Sequence, residues 1–331
     1  MPKIAIDVMG GDHAPDQIIE GCIKASSKTT SKLVLVGNEA IINEKLKNYS
    51  YDTNKIEIVD AQEIIDMHDA PVQAIREKKN SSMVVGLSLL KNKEVDAFVS
   101  AGNTGALLAG ATLIVGRIKG VERPALAPLL PNKKGYSLLI DCGANMDCKP
   151  SYLLQFARMG TIYMQQCLNV SEPKVGLINI GVEAEKGNQL VKDAYKLLSE
   201  DDLINFAGNV EARDIPNGEA DILVCDAFVG NVVLKFMEGF GLWMFSALKN
   251  EFTSSLKSKL GALLLKKGIY NIKNKFDYSE QGGAPLLGVN GLVVKTHGSS
   301  KEKEIYHTLL QTDKFIDNRL VEKIANNLIT C

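Results

Sequence analysis

The sequence predicts an α/β fold built on a mostly parallel sheet with helices on both faces. Three observations carry that expectation. Short apolar runs of strand length alternate with stretches whose apolar residues recur at helical spacing. Six of these runs end in loops of Gly, Asn, Asp, Lys or His, usually with a helix to follow, as at the carboxyl edge of an open parallel sheet. No repeat of fixed period runs through the 331 residues, which argues against a solenoid.

In chain order, residues 3–8 form an apolar strand ending in Met9-Gly10-Gly11-Asp12-His13-Ala14-Pro15. Residues 16–25 follow as a helix with Ile18, Ile19, Cys22 and Ile23 on one face. Strands at 32–36 and 55–59 flank a helix at 39–46, and helices around 72–78 and at 83–91 lead to an apolar run at 95–99. That run opens the central stretch, 98–111, which reads FVSAGNTGALLAGA: strand, glycine loop, then a helix from 106 to 115. Further on, strands at 137–140, 174–180, 204–206 and 221–225 alternate with helices at 151–167, 189–198 and about 232–248. A helix at 301–310 and an amphipathic helix at 315–329 close the chain.

Composition sets limits on function. With 45% hydrophobic and 23% charged residues the chain can bury a large core. A net charge of -1 gives no basic field for nucleic acid. Cys22, Cys142, Cys148, Cys167, Cys225 and Cys331 lie far apart without a CxxC, and read as reduced cytoplasmic thiols. The start, MPKIAIDVMGGDH, reads directly as a strand and has no signal-peptide pattern. No apolar run reads as long enough to span a membrane. There is no GxSxG, no HExxH and no carboxylate or histidine set with metal-ligand spacing.

What the loops offer is backbone N–H groups and a few polar side chains, which suits a phosphate or an oxyanion. The 100–105 loop is neither a Walker A nor a GxGxxG, since Gly102 and Gly105 are three apart. Its Ser100, Asn103 and Thr104 either donate to a ligand or cap the helix. Lys186, flanked by Gly187 and Asn188, either binds phosphate or is a solvated loop lysine. His13 carries a proton or caps the first helix, and His297 has the same two readings. Asn231 donates to an oxyanion or caps a helix, and Arg123 binds an anion or lies on the surface.

Residues 240–278 break the rhythm. Leu256, Leu260, Leu263 and Leu264 share a helical face, with Lys257, Lys259, Lys266 and Lys267 nearby. Such a helical pair either rests on an anionic membrane or packs in a dimer interface, and the two are compatible if the dimer presents the tip.

Nine segments in order carry a family resemblance: MGGDHAP (9–15), SAGNTGA (100–106), ERPA (122–125), DCGAN (141–145), NIGVEAEKGN (179–188), GNVEARDI (208–215), DAFVGNVVLK (226–235), GGAPLLGVNG (282–291) and HGSS (297–300). Together they resemble the PlsX family, bacterial phosphate acyltransferases of phospholipid synthesis. The resemblance implies a three-layer, Rossmann-like α/β fold of the isocitrate and isopropylmalate dehydrogenase type, with a protruding helical hairpin. It implies a single α/β unit over 1–331 with a projection at 240–278. It implies transfer of an acyl group from acyl carrier protein to inorganic phosphate, without cofactor or metal. It also implies a homodimer, peripheral association with the cytoplasmic face of the membrane, and delivery of acyl phosphate to a membrane glycerol-3-phosphate acyltransferase. Lys186, His13 and Asn231 are the expected catalytic residues. Ser100, Gly102, Asn103, Thr104, Gly105, Asn145, Gly187, Asn188, Gly230 and His297 are the expected phosphate and substrate contacts, and Leu256, Leu260, Leu263 and Leu264 the membrane contacts. An acyl-CoA phosphotransacetylase and an NAD-dependent dehydrogenase of the same fold are the alternative enzymes. Ala212 and Ala227 stand where the family pattern has glycine, which raises the question of a positive φ at each.

Overall fold

The computed structural model describes residues 1–275 and 282–329. The end of the predicted projection, 276–278, lies outside the described residues, as do Gln281 and Cys331. The chain opens with β1 (Lys3–Asp7), α1 (Asp16–Ser26), β2 (Lys32–Gly37), α2 (Glu39–Leu46) and β3 (Ile56–Asp60). Then come α3 (Pro71–Glu77), α4 (Ser82–Lys91), β4 (Ala97–Ser100) and α5 (Thr104–Gly110), which continues as a π-helical turn through Ala111–Val115. Two short strands, β5 (Ala125–Leu126) and β6 (Leu129–Asn132), precede β7 (Gly135–Ile140), α6 (Pro150–Leu168) and β8 (Lys174–Asn179). Next are α7 (Gln189–Ser199), β9 (Asn205–Glu211) and β10 (Ile222–Val224). A helical hairpin of α8 (Ala227–Thr253) and α9 (Leu256–Lys275) is followed by β11 (Ala284–Leu287), β12 (Leu292–Lys295), α10 (Glu302–Asp317) and α11 (Leu320–Ile329).

The fold is α/β with helices on both faces, but its strands divide into two sheets. A seven-stranded sheet has the order β3-β2-β1-β4-β12-β11-β5, and a five-stranded sheet has the order β6-β7-β10-β8-β9. Parallel pairing runs through β3, β2, β1, β4 and β12, and through β7, β10, β8 and β9. The antiparallel strands β11 and β5 close one side of the first sheet, and β6 closes one side of the second. The alternating pattern does not reveal this division. The chain changes sheets between Leu126 and Leu129, where β5 is two residues long and β6 contains Pro131. Proline is tolerated there because β6 is an edge strand.

Strand periodicity places the helices. In the first sheet Ile4 and Ile6 pack with α1 residues Ile18 and Ile19, while Ala5 and Phe98 pack with α4 and α5 residues on the other face. The connection after β1 therefore leaves on one face and the connection after β4 on the other, which opens a crevice between neighbouring strands. In the second sheet Leu138, Ile140, Ile222 and Val224 pack against Phe156 and Ala157 of α6. Leu139 and Leu223 turn to Val229, Val233 and Met237 of α8. One buried cluster runs through both sheets and includes Ile305 and Leu309 of α10 and Ile324 of α11.

Helix α8 is 27 residues long and, by length and composition, apolar enough to cross a membrane, contrary to the sequence expectation. Its first turn is nevertheless built into the second sheet, where Ala227 and Gly230 are buried. Beyond that the hairpin stands clear: a Cβ on Gly239, Gly241, Gly261 or Gly268 would meet nothing within 4 Å. Leu256, Leu260, Leu263 and Leu264 all lie on α9 with exposures of 65–87%.

Candidate active site

The ends of β1, β4 and β12 lie level, with Asp7 opposite Ser100 and Ser100 opposite Lys295. Ser100 Oγ donates to Asp7 Oδ2 at 2.7 Å and accepts from the Gly102 N–H at 3.0 Å. Ser82 Oγ donates to Asp7 Oδ1 at 2.6 Å. Burial pushes the Asp7 carboxyl up from its ordinary value, against these hydrogen bonds. The loop after β12 joins the same group: the Thr296 N–H donates to the Ser100 carbonyl at 3.0 Å, and the Asp12 N–H to the Gly298 carbonyl at 2.8 Å. Asn103 caps α5 by accepting from the Ala106 N–H, and its Nδ2 donates to the carbonyls of Asp66, Met67 and Asp69. The N–H groups of Thr104 and Gly105 have no acceptor among the described residues. His13 is exposed in the loop after β1.

On the second sheet the organising group is Asp141, fully buried after β7. Its carboxylate accepts from the N–H groups of Leu126, Cys142, Gly143, Ala144 and Asn145 and from Asn145 Nδ2. Asn145 Nδ2 also donates to the Pro124 carbonyl at 2.7 Å. Asp226 caps α8 through the Val229 N–H. Gly230 packs one turn further, where a Cβ would sit 1.9 Å from the Asp141 carbonyl oxygen. No residue with a side chain fits there.

The loop after β8 carries Lys186. Its backbone is held: the Lys186 N–H donates to the Glu183 carbonyl, and Asn179 Nδ2 donates to the Lys186 carbonyl. Gly187 turns the chain at φ +93 and Asn188 caps α7 through the Val191 N–H. The Lys186 side chain is exposed and makes no ion pair among the described residues.

The two carboxyl edges meet through α8. Lys235 Nζ lies 2.9 Å from His297 Nε2 and 2.8 Å from Glu238 Oε2. Burial, then the Lys235 charge, lowers the His297 pKa from its ordinary value, so the ring accepts from the ammonium as a neutral imidazole. Asn231 is half-buried on α8 one turn before Lys235, and its side-chain amide has no partner among the described residues.

The structure thus sorts the residues expected from sequence. The side chains of Ser100, Asn103, Asn145 and Asn188 are occupied in holding the loops, and Gly102, Gly187 and Gly230 shape them. Among the described residues, Lys186, His13, Asn231 and the first turn of α5 keep donors without a partner. Arg123 lies over the Tyr152 ring, 5.9 Å from its centroid. Asp7, Asp141, Lys235 and Lys295 were missed. Their signal was a charge ending or interrupting an apolar run, as in IAID, LLID and LVVK, since a lone charge in such a run is seldom buried without a partner. Among the described residues no group of three His, Cys, Asp or Glu is placed to hold a metal ion. Ala212 and Ala227 settle a further question. Neither is among the non-glycine residues with positive φ, which are Lys93, Asn169 and Arg319. Ala227 is the first residue of α8 and Ala212 opens a 3-10 turn, conformations open to any residue.

Solved structures with the same fold include a phosphotransacetylase from Streptococcus pyogenes, with a TM-score of 0.65 at 17% identity over 96% of this chain and 94% of that one. A 4-hydroxythreonine-4-phosphate dehydrogenase from Burkholderia phymatum gives 0.51 at 13% identity over 95% and 98%. These likenesses place the fold with the phosphotransacetylases and dehydrogenases. A family model described as "Fatty acid synthesis protein" matches residues 2–323. The phosphate acyltransferase of Alkaliphilus oremlandii is 52% identical over 326 residues, covering 98% of this chain and 97% of the relative. That of Clostridium novyi is 51% identical over 327 residues, covering 98% of each. The molecule is an acyltransferase of the α/β class. It belongs to the fatty acid synthesis protein family, the PlsX phosphate acyltransferases.

Proposed function

We propose that the chain transfers a long-chain fatty acyl group from acyl-[acyl carrier protein] to inorganic phosphate, giving acyl phosphate for phosphatidic acid synthesis. The observation that carries this reading is the set of free donors on loops of both sheets, in a chain about half identical to phosphate acyltransferases over nearly its whole length. A phosphate oxygen attacks the thioester carbonyl and forms the new C–O bond. The carbonyl oxygen takes up charge, the C–S bond then breaks, and the thiolate leaves and collects a proton. Lys186 neutralises the phosphate, Asn231 and the N–H groups of Thr104 and Gly105 hold phosphate or the oxyanion, and His13 orients phosphate or manages its proton. His297, kept neutral by burial and then by the Lys235 charge, joins this set as a phosphate contact.

The reaction is tested with radiolabelled phosphate and palmitoyl-carrier protein. Label entering an organic-extractable acyl phosphate only when enzyme and thioester are both present supports the reading. A parallel arm with acyl-CoA ranks the donors and decides the phosphotransacetylase alternative. No transfer with either donor, from folded protein, overturns the reading and brings the dehydrogenase forward, which a thermal shift with NAD then tests.

The same proposal makes 1–331 one functional unit and a homodimer, peripherally bound at the cytoplasmic face and supplying acyl phosphate to a membrane glycerol-3-phosphate acyltransferase. The exposed leucines of α9, beside Lys257, Lys259, Lys266 and Lys267, support the membrane contact. Each leucine buried in lipid contributes about 1.5–3 kcal/mol. Replacing Leu263 and Leu264 together by glutamate is expected to weaken binding to anionic vesicles more than about ten-fold, at unchanged turnover in solution. Co-sedimentation equal to that of the parent removes the membrane role.

A further inference from the structure

Beneath the loops of the first sheet lie two buried ionisable side chains, near each other but not in ion-pair contact, that the reaction as written leaves unused. Lys295, the last residue of β12, is 7% exposed, and Asp7, the last residue of β1, is 2% exposed. Burying an ammonium is costly, and an apolar side chain of similar volume would fill the space without that cost. The contacts indicate what the charge is for. Lys295 Nζ donates to the Ala101 carbonyl at 3.2 Å and to the Thr296 carbonyl. Asp7 gathers the hydroxyls of Ser82 and Ser100 and the Met9 N–H. Three loops, those after β1, β4 and β12, are thus tied to these two side chains. With the Thr296 carbonyl drawn onto the ammonium, the planar trans peptide turns the following N–H, that of His297, the opposite way. That N–H has no acceptor among the described residues.

We propose that Lys295 is a positioning residue for phosphate: its ammonium, balanced by Asp7, fixes the 100–105 and 296–300 loops so that their free N–H groups converge on the anion. The proposal rests on the phosphate-transfer reading above. It also gives Lys295 a pH signature. Burial lowers its ammonium to about 8, with Asp7 and Asp12 opposing the drop and Lys235 adding to it. Above that pH the charge-assisted bonds to the two carbonyls weaken and the positive field under the loops is lost. Inorganic phosphate completes its second ionisation over a neighbouring range, but that limb is common to parent and variant, so only the limb that the variant loses is assigned to Lys295.

Lys295→Met is the test, because methionine fills the slot without a charge. The KM for phosphate is expected to rise about ten-fold or more while that for the acyl thioester changes less than about two-fold. The parent's fall in kcat/KM for phosphate through about pH 8 is expected to vanish. An unchanged phosphate KM, or both KM values rising together as general loosening would give, overturns the proposal. If Lys295→Met fails to fold, Asp7→Asn with Lys295→Met leaves no charge alone and is measured in the same way. If neither folds, the parent decides: no fall through about pH 8 overturns the proposal. Calorimetric titration with inorganic phosphate separates the two readings. A parent that moves no label but binds phosphate about ten-fold more tightly than the variant fails only the reaction. Equal binding fails the positioning role.

Discussion

Replacing Lys186 by alanine is expected to lower the rate of phosphate acylation by about 100- to 1,000-fold, the range seen when one preorganised charge-stabilising group is lost from an active site. Thermal unfolding is expected to stay within about 0.5 kcal/mol of the parent, as for surface substitutions away from structural features. The structure separates these two effects. The loop is held through its backbone and through Asn179, Asn188 and Asn209, whose Nδ2 donates to the Glu183 carbonyl at 2.9 Å. None of those bonds involves the lysine ammonium, so its removal leaves the loop intact. Lys186→Arg keeps the charge but changes its geometry from a point to a planar fork, and an intermediate rate is expected. Single-turnover transfer of labelled phosphate is the measurement. A Lys186→Ala enzyme at near-parental rate would remove this lysine from the chemistry.

How much of this was legible in the sequence depends on how local the cause is. The parallel units and their glycine loops were legible because strand and helix periodicity are local, and so was the hairpin, whose leucines repeat every turn. The division into two sheets was not. It depends on a two-residue strand and on β12 inserting between β4 and β11 from almost 200 residues away, pairings no local pattern encodes. At the site, Lys186 and Asn231 are expected from their type and position, and the structure leaves both side chains without a partner among the described residues. Asn103 and Asn145 were chosen for the same reason, yet their amides are used to pin neighbouring segments. Asp7 and Lys295, which the sequence reading left out, come beside Ser100 only when three separate strands bring them level.

The tightest constraint in the site is steric, and Gly230→Ala tests it. A methyl group there would sit 1.9 Å from the Asp141 carbonyl oxygen and 3.0 Å from Cys225 Sγ. The carbonyl has little room to yield, because the Asp141 carboxylate is fixed by the N–H groups of five residues. Helix α8 must therefore move away from the second sheet, taking Asn231 and Lys235 with it. Overpacking of this kind costs about 1–3 kcal/mol. A displacement of about 1 Å at the reacting groups is worth about 100-fold in rate. Gly230→Ala is expected to show both losses, read as a lower Tm and as a kcat reduced by that order. Gly239→Ala on the same helix supplies the contrast. Its methyl meets nothing within 4 Å, so the helix gains about 1 kcal/mol of propensity and the rate is unchanged. If Gly230→Ala were as active as Gly239→Ala, the first turn of α8 would not need its seat on Asp141, and Asn231 would lose the anchor that makes it a credible oxyanion donor.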